Sequence, residues 1–309
     1  MSFNHGSKGV IPITIQPPQP ASLCSVEIQK YVRAHDGIDK TLGRGTGFHF
    51  RDISGQVWLV TNWHVLTARR PDDPTKLVGN ATTSPSGIRV AYQSKRDGQF
   101  LPHLSMNLYD AEGAPIWHEF KREESGIDLA VIAIDLPDDV KCPCVQDFAV
   151  RGTDPFVPGL DLIIVGMAFP HGQDNPYPIW KSARVASEPG YLVMGVPQVL
   201  IDAAGVPGMS GSPIYRVRRG VSAPIRGDLS ATNANAEVSP IDRILMMDPT
   251  KMVETNILEF IGVYAGSTGC RDLDRLSLGR MFTAPLLDLL VREKQPGRNP
   301  FPPDLDTSR

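Results

Sequence analysis

The sequence predicts an all-β protein built from two six-stranded β-barrels and closed by a C-terminal helix. Short runs of alternating apolar and polar residues recur along the chain, and turns rich in glycine, proline and asparagine separate them. This spacing is typical of barrels and sandwiches rather than of alternating strands and helices. At 309 residues, the chain has the length for two packed halves that share a cleft.

The first predicted barrel spans residues 23–145 and follows a proline-rich lead-in, residues 1–22. A polar stretch at 71–87, rich in proline, serine and threonine, predicts a surface loop. The segments 105–110 and 115–120 flank a glycine turn and predict a hairpin. The other predicted strands of this half are 23–32, 43–50, 57–61 and 128–134.

The second predicted barrel spans residues 146–292, after a proline-rich crossing. Its predicted strands are 161–167, 178–186, 191–201, 211–217 and 258–265. The polar segment 218–254 predicts a long insertion loop, and loops of that length are usually functional or disordered. A closing helix is expected from Thr283, its N-cap, with Pro285 in the first turn, where the missing N–H costs nothing. The proline-rich residues 293–309 predict a flexible tail.

Composition excludes several classes of partner. Lys and Arg number 31 against 34 Asp and Glu, and the net charge of -3 gives no basic field for nucleic acid or a membrane surface. No apolar stretch is long enough to span a membrane, and the first residues lack a secretory signal pattern. The four cysteines form no disulfide framework, and Cys142 and Cys144 lack the second pair that a metal site needs. We therefore expect a cytoplasmic protein without metal or cofactor.

One turn, residues 205–215 with the sequence GVPGMSGSPIY, is the centre of the functional prediction. Glycines surround Ser210, and a strand-like run follows. Because glycine has no Cβ, the backbone N–H groups of Gly208 and Ser210 can converge on one point, as the oxyanion of an acyl-transfer reaction requires. The alternative is an ordinary glycine- and serine-rich surface turn.

Two upstream segments favour the catalytic interpretation. The string TNWHV carries His64 at the end of an apolar strand, and DLAV carries Asp128 at the start of another. With PGMSG around Ser210, these strings resemble the chymotrypsin-like, trypsin-fold serine peptidases, especially the bacterial HtrA-like branch, here without a PDZ domain after the helix. The resemblance extends from about residue 44 to about residue 290. It departs at Ser212, where the family usually has glycine.

The resemblance implies a catalytic triad of His64, Asp128 and Ser210. A serine hydroxyl is a poor nucleophile, so a neutral imidazole must accept its proton, and a buried carboxylate keeps that imidazole in the required tautomer. The expected function is a serine endopeptidase acting on a protein or peptide substrate, with a regulatory partner protein. The alternative is a catalytically idle scaffold of the same fold that binds partners through its cleft or through the segment 218–254.

The resemblance also suggests the residues of a substrate pocket, which are Ala204, Val263, Tyr264, Ala265 and Gly266. An uncharged floor at Ala204 offers no partner for a buried Lys or Arg, so an apolar residue before the cut is expected. Asp202 leaves an alternative open, because a bulge in the loop would bring its carboxylate into the pocket and restore a basic preference.

Met209 stands where digestive relatives have an aspartate that pairs with a newly cut N-terminus. A methionine cannot form that ion pair. The nucleophile turn is therefore expected to be ordered by packing, by the segment 218–254 or by a partner, without N-terminal cleavage.

Overall fold

The computed structural model describes residues 17–33, 38–120, 126–152, 156–168, 177–222, 250, 253–268, 270, 273 and 275–304. In chain order the strands are β1 (Ser25–Arg33), β2 (Asp39–Arg51), β3 (Val57–Thr61), β4 (Gly87–Val90), β5 (Gln93–Ser94), β6 (Leu104–Asn107), β7 (His118–Glu119), β8 (Ala130–Ala133), β9 (Val140–Lys141), β10 (Ala149–Arg151), β11 (Asp161–Gly166), β12 (Ile179–Val185), β13 (Val199–Asp202), β14 (Pro213–Ser222), β15 (Val253–Ser267), β16 (Leu278–Thr283) and β17 (Gln295–Pro296). The α-helices are α1 (Pro20–Cys24), α2 (Trp63–Thr67) and α3 (Ala284–Glu293).

The first half of the chain, together with β17 from near its C-terminal end, forms a curled sheet. Its eight strands follow the order β17–β7–β8–β3–β2–β1–β4–β6. β1 pairs with β2 along its whole length, with one register shift between Lys30 and Tyr31. Such a bulge bends a strand pair and increases its twist. The sheet packs around aliphatic side chains that alternate along the strands, among them Val26, Ile28, Leu59, Ile88, Val90 and Ile132.

The second half forms a closed ring of strands. Its order is β15–β14–β11–β12–β13–β16, and β16 also pairs with β15, which closes the ring. Strand alternation turns one set of apolar side chains into the interior, among them Leu162, Ile164, Val185, Ile201, Ile214 and Met281. The predicted all-β fold with two barrels and a closing helix is confirmed.

A third apolar core lies between the two sheets and under α3. Phe48 and Val60 from the first sheet meet Val263 and Phe282 from the second. Helix α3 adds Leu287, Leu290 and Val291, whose spacing places them on one helical face. The helix starts after Thr283 and has proline in its first turn, as predicted. None of the helices described is long and apolar enough to cross a lipid bilayer.

Two predicted segments differ from the structure. β14 continues to Ser222 and β15 begins at Val253, and these two residues pair, so both ends of the predicted 218–254 loop are strand. The arginines of this hairpin face solvent at 218 and 219, and their polarity therefore does not indicate a loop. Residues 223–249 lie outside the described residues. The hairpin predicted at 105–120 is reduced to its turn, because β6 pairs with β4 and β7 pairs with β8.

The predicted flexible tail is wrong for residues 295–304, which we name the return segment. Its strand β17 pairs with β7, and the N–H of Gly297 donates to Trp117 O over 2.8 Å. The indole Nε1 of Trp63 donates to Arg298 O over 3.0 Å. Prolines are compatible with this position, because an edge strand has a neighbour on one side only and donates only some of its N–H groups to it. Residues 305–309 lie outside the described part of the chain.

The predicted lead-in also ends earlier than residue 22. Helix α1 begins at Pro20, and its Ala21 and Cys24 are fully buried in the core between the sheets. The domain therefore includes residues that proline content had assigned to an extended lead-in. Residues 1–16 lie outside the described residues.

The imidazole of His49 is fully buried on β2 beside Tyr92, with 3.3 Å between Nε2 and the phenol oxygen. Burial lowers the pKa of His49 to about 4, because the protonated ring would have to lose its hydration. An unfolded chain protonates the same ring at roughly pH 6.5. Between these two values the unfolded state binds more protons, so the free energy of unfolding falls as the pH is lowered from about 6.5 towards 4.

We predict that His49→Gln reduces this acid sensitivity. Between about pH 7 and pH 5, the free energy of unfolding of the wild type should fall by about 2 kcal/mol more than that of the variant. Urea unfolding at the two pH values measures the difference. His103→Gln is the matched control, because His103 is exposed. If the free energy of unfolding fell equally in the wild type and in His49→Gln, the buried His49 would not be the cause of the acid sensitivity.

Candidate active site

His64 is held by the short helix that follows β3. Asn62 occupies the N-cap position of α2, and its side-chain Nδ2 donates to Asp128 O over 2.8 Å. Trp63, Val65 and Leu66 of this helix are buried in the first core, which fixes the backbone of the helix. The His64 side chain is 13% exposed, and its ring lines a cleft between the two sheets.

Asp128 precedes β8 and is fully buried. Its Oδ2 lies 2.7 Å from His64 Nδ1, and its Oδ1 accepts the His64 backbone N–H over 3.0 Å. Burial alone would raise the pKa of Asp128, but the charges of His64 and Arg280 and the hydrogen bonds from His64 lower it below its usual value. The carboxylate is therefore ionised at neutral pH and fixes the orientation of the imidazole.

Arg280 is a site residue that the sequence analysis missed. It lies on β16, and its Nη2 donates to Asp128 Oδ2 over 2.9 Å. Its Nε donates to Ala265 O over 3.2 Å, so the guanidinium bridges the carboxylate and strand β15. The one available signal in the sequence was a charged residue inside the otherwise apolar strand LGRMFT.

The turn that carries Ser210 is tied to both sheets. The N–H of Thr46, on β2, donates to Ser210 O over 2.8 Å, and the hydroxyl of Thr46 donates to Gly208 O over 2.8 Å. The same hydroxyl accepts the N–H of Met167 over 2.9 Å. On the other side, the N–H of Gly211 donates to Tyr264 O over 2.9 Å. One threonine of the first sheet thus holds the nucleophile turn of the second.

Glycines give this turn the shape that it needs. Gly208 and Gly211 have φ values of +94° and +90°, in the region that favours glycine. A Cβ on Gly211 would lie 2.0 Å from Thr46 O, so a larger residue would push the turn away from the first sheet. A Cβ on Gly266 would lie 2.9 Å from Ser210 Oγ, so this glycine leaves the hydroxyl accessible.

Packing against the core of the second barrel orders the nucleophile turn. Met209 is 1% exposed and belongs to the core of the second barrel. Ser212, where the sequence departs from the family pattern, is fully buried, and its hydroxyl donates to Met209 O over 2.5 Å. Gly166 makes room for that hydroxyl, because a Cβ at this position would lie 1.8 Å from Ser212 Oγ. Of the three sources of order expected for the turn, the structure provides packing.

The backbone N–H groups of Gly208 and Ser210 are the predicted oxyanion donors. Within the residues that the structure describes, neither group donates to a backbone or side-chain acceptor. An oxyanion that forms beside Ser210 Oγ would supply such an acceptor.

The cleft that His64 and Ser210 share has a volume of about 450 Å³. Charged side chains line it together with apolar ones, which are Leu77, Val78, Met194, Val196 and Ala265. The charged groups are Arg70 and Asp72, which pair with each other over 2.6 Å, and Arg280.

The five predicted pocket residues divide into two groups. Ala265 and Gly266 line the cleft. Val263 and Tyr264 do not contribute side chains to it, because strand β15 turns them into the central core and the second-barrel core. Ala204 is exposed and does not line the cleft. Asp202, the open alternative for a basic preference, is also exposed and lies on β13, outside the cleft lining.

The described residues contain no cluster of three or more His, Cys, Asp or Glu side chains arranged to bind a metal ion. The four cysteines at positions 24, 142, 144 and 270 are free thiols.

A family model and solved structures match this chain. A family model described as "Trypsin-like peptidase domain" matches residues 45–221, more than half of the chain and the part that contains His64, Asp128 and Ser210. Among solved structures, the chain is similar to Rv3671c from M. tuberculosis H37Rv, crystallised as a serine-to-alanine mutant in an inactive form. The two are 17% identical with a TM-score of 0.40, and the match covers 92% of this chain and 96% of that one. No curated protein matches the sequence.

We predict that Thr46→Val loosens the nucleophile turn. Valine keeps the shape of the side chain but leaves Gly208 O and the N–H of Met167 without their partner, which should lower the free energy of unfolding by about 1–3 kcal/mol. Urea unfolding measures the loss. Thr46→Ser retains the hydroxyl and should lose less, and Thr41→Val, at an exposed position of β2, should lose little. Equal destabilisation by valine and serine at position 46 would refute the role of the hydroxyl.

Proposed function

Because the chain belongs to the trypsin-like peptidase family, we propose that it is a serine endopeptidase that hydrolyses peptide bonds through an acyl-enzyme on Ser210. The observation that carries the proposal is the hydrogen bond from the His64 imidazole to the buried carboxylate of Asp128, in a cleft that Ser210 also lines. This arrangement gives a hydroxyl, a base and an orienting carboxylate in the roles that acyl transfer requires.

In the first half of the proposed reaction, Ser210 Oγ attacks the carbonyl carbon while His64 Nε2 accepts the hydroxyl proton. The ionised Asp128 stabilises the imidazolium that results. The carbonyl oxygen becomes an oxyanion and accepts hydrogen bonds from the N–H groups of Gly208 and Ser210. The tetrahedral intermediate collapses, the C–N bond breaks, and His64 returns the proton to the leaving amine.

In the second half, a water molecule replaces the amine. His64 accepts a proton from this water as its oxygen attacks the acyl carbon. The second tetrahedral intermediate breaks the bond to Ser210 Oγ, and the serine recovers its proton from His64. The products are a free amine and a carboxylic acid, and the enzyme is regenerated.

We further propose that an apolar side chain is preferred before the cut. Val196, Met194 and Ala265 line the cleft beside Ser210, and its one lining carboxylate, Asp72, is already paired with Arg70 among the residues described. A desolvated Lys or Arg would lose its hydration there without a free partner, at a cost of several kcal/mol. One methylene changes such discrimination by only about 1–3 kcal/mol, so the preference should be broad.

The free thiols support a reducing compartment, and we propose the bacterial cytoplasm as the location.

The function is tested with a fluorophosphonate probe, which forms a covalent bond to an activated serine and releases fluoride. The native protein should be labelled and Ser210→Ala should not. Peptidase kcat should fall at least about a thousandfold in Ser210→Ala and comparably in His64→Ala. Ser267→Ala is the matched control, because Ser267 lines the same cleft. This variant should be labelled to the same extent as the native protein. A folded native protein that takes no label would instead favour the binding scaffold.

Profiling with a peptide library tests the preference before the cut. We expect cleavage after Leu, Val and Met, with no single residue dominating. Dominant cleavage after Lys or Arg that Asp202→Ala abolishes would overturn the apolar preference and identify Asp202 as the selecting residue.

A further inference from the structure

Arg280 brings a cation to the carboxylate that orients His64. Its Nη2 donates to Asp128 Oδ2 over 2.9 Å, and the same oxygen lies 2.7 Å from His64 Nδ1. Two groups that are cationic when protonated therefore share one oxygen of a single, fully buried carboxylate. A catalytic triad needs only the imidazole at this oxygen, so the guanidinium of Arg280 adds a second positive charge beside His64.

The position of Arg280 is enforced by the fold. Strand β16 lies between β13 and β15, and Arg280 pairs in register with Leu200. Its Nε donates to Ala265 O over 3.2 Å, which fixes the side chain at two points. Only 13% of the side chain is exposed, so solvent screens its charge poorly.

We propose that Arg280 is a positioning residue that shares Oδ2 of Asp128 with His64 and extends the activity of the site to lower pH. The proposal rests on the proposed function, in which His64 must be neutral to accept the serine proton. An ionised Asp128 favours a protonated imidazole, and a like charge nearby disfavours it. Arg280 offsets part of the effect of Asp128, so the imidazole remains available as a base further into the acid range.

The other charged groups near His64 form an ion pair. Asp128 and Arg280 contact each other. Among the described residues, the further charged side chains that line the cleft are Arg70 and Asp72. Those two pair through Arg70 Nη2 and Asp72 Oδ2 over 2.6 Å, and their side chains are 35% and 63% exposed. A paired and solvent-exposed couple of opposite sign changes the potential at His64 far less than a buried cation does.

The experiment compares the pH dependence of kcat/KM in the wild type, Arg280→Gln and Arg280→Lys. Glutamine removes the charge, and the acid limb should move to higher pH by about one unit. Lysine keeps the charge, so its acid limb should stay close to that of the wild type even if the rate falls. Arg70→Gln removes a cation from the same cleft and should move the limb by less than about 0.3 unit. If Arg280 had only a structural role, Arg280→Gln and Arg280→Lys would both lower kcat/KM, and the acid limb of neither variant would move.

A second measurement does not depend on activity. The ring signals of His64, identified by their loss in His64→Gln, are followed by NMR as a function of pH in Ser210→Ala and in Ser210→Ala/Arg280→Gln. The ring should become protonated at a pH about one unit higher in the double variant. The same midpoint in both proteins, or a lower one in the double variant, would overturn the proposal. If the wild type has no peptidase activity, the proposed function is refuted, and the expected NMR shift would still establish the effect of Arg280 on the protonation of His64.

Discussion

The buried carboxylate of Asp128 is the constraint on which the arrangement of the two sheets depends. An ionised group without water is stable only when hydrogen-bond donors surround it, and an unpaired buried charge costs several kcal/mol. Its donors come from opposite halves of the chain, since His64 follows β3 and Arg280 lies on β16. The first half supplies both donors of His64, and the second half adds the guanidinium of Arg280. Docking of the two sheets over their shared apolar core therefore brings the donors together and completes the site in the same step.

The two halves also meet at the nucleophile turn, where the first sheet supports the second. Asp128 receives a donor from the second sheet, whereas the nucleophile turn receives its support from Thr46 of the first. Because the side chain of Met209 is embedded in the second-barrel core, the turn keeps its shape through packing inside the folded chain. Among the described residues, the order of the nucleophile turn thus comes from packing in the interior.

The sequence identified the candidate residues that lie in short strings and missed a residue whose place depends on strand pairing. His64, Asp128 and Ser210 each occur inside a recognisable run, and the structure brings the first two into contact and all three to one region. Arg280 escaped notice because its role follows from the pairing of β16 with β13 and β15, which no local pattern encodes. Val263 and Tyr264 were assigned to the pocket by position along the chain, but alternation along β15 turns both into cores. The return segment was missed because proline content indicates an extended chain and does not say against what it packs.

The return segment has a consequence for biosynthesis. Trp63, beside His64, donates its indole N–H to a carbonyl that lies 235 positions later in the chain. At translation rates of about 5–20 residues per second, the ribosome needs roughly 10–50 s to make that partner after Trp63 has been added. During this interval β7 lacks its neighbour β17, and an unpaired strand edge invites association with other nascent chains. The first half of this protein therefore emerges early but completes its sheet late.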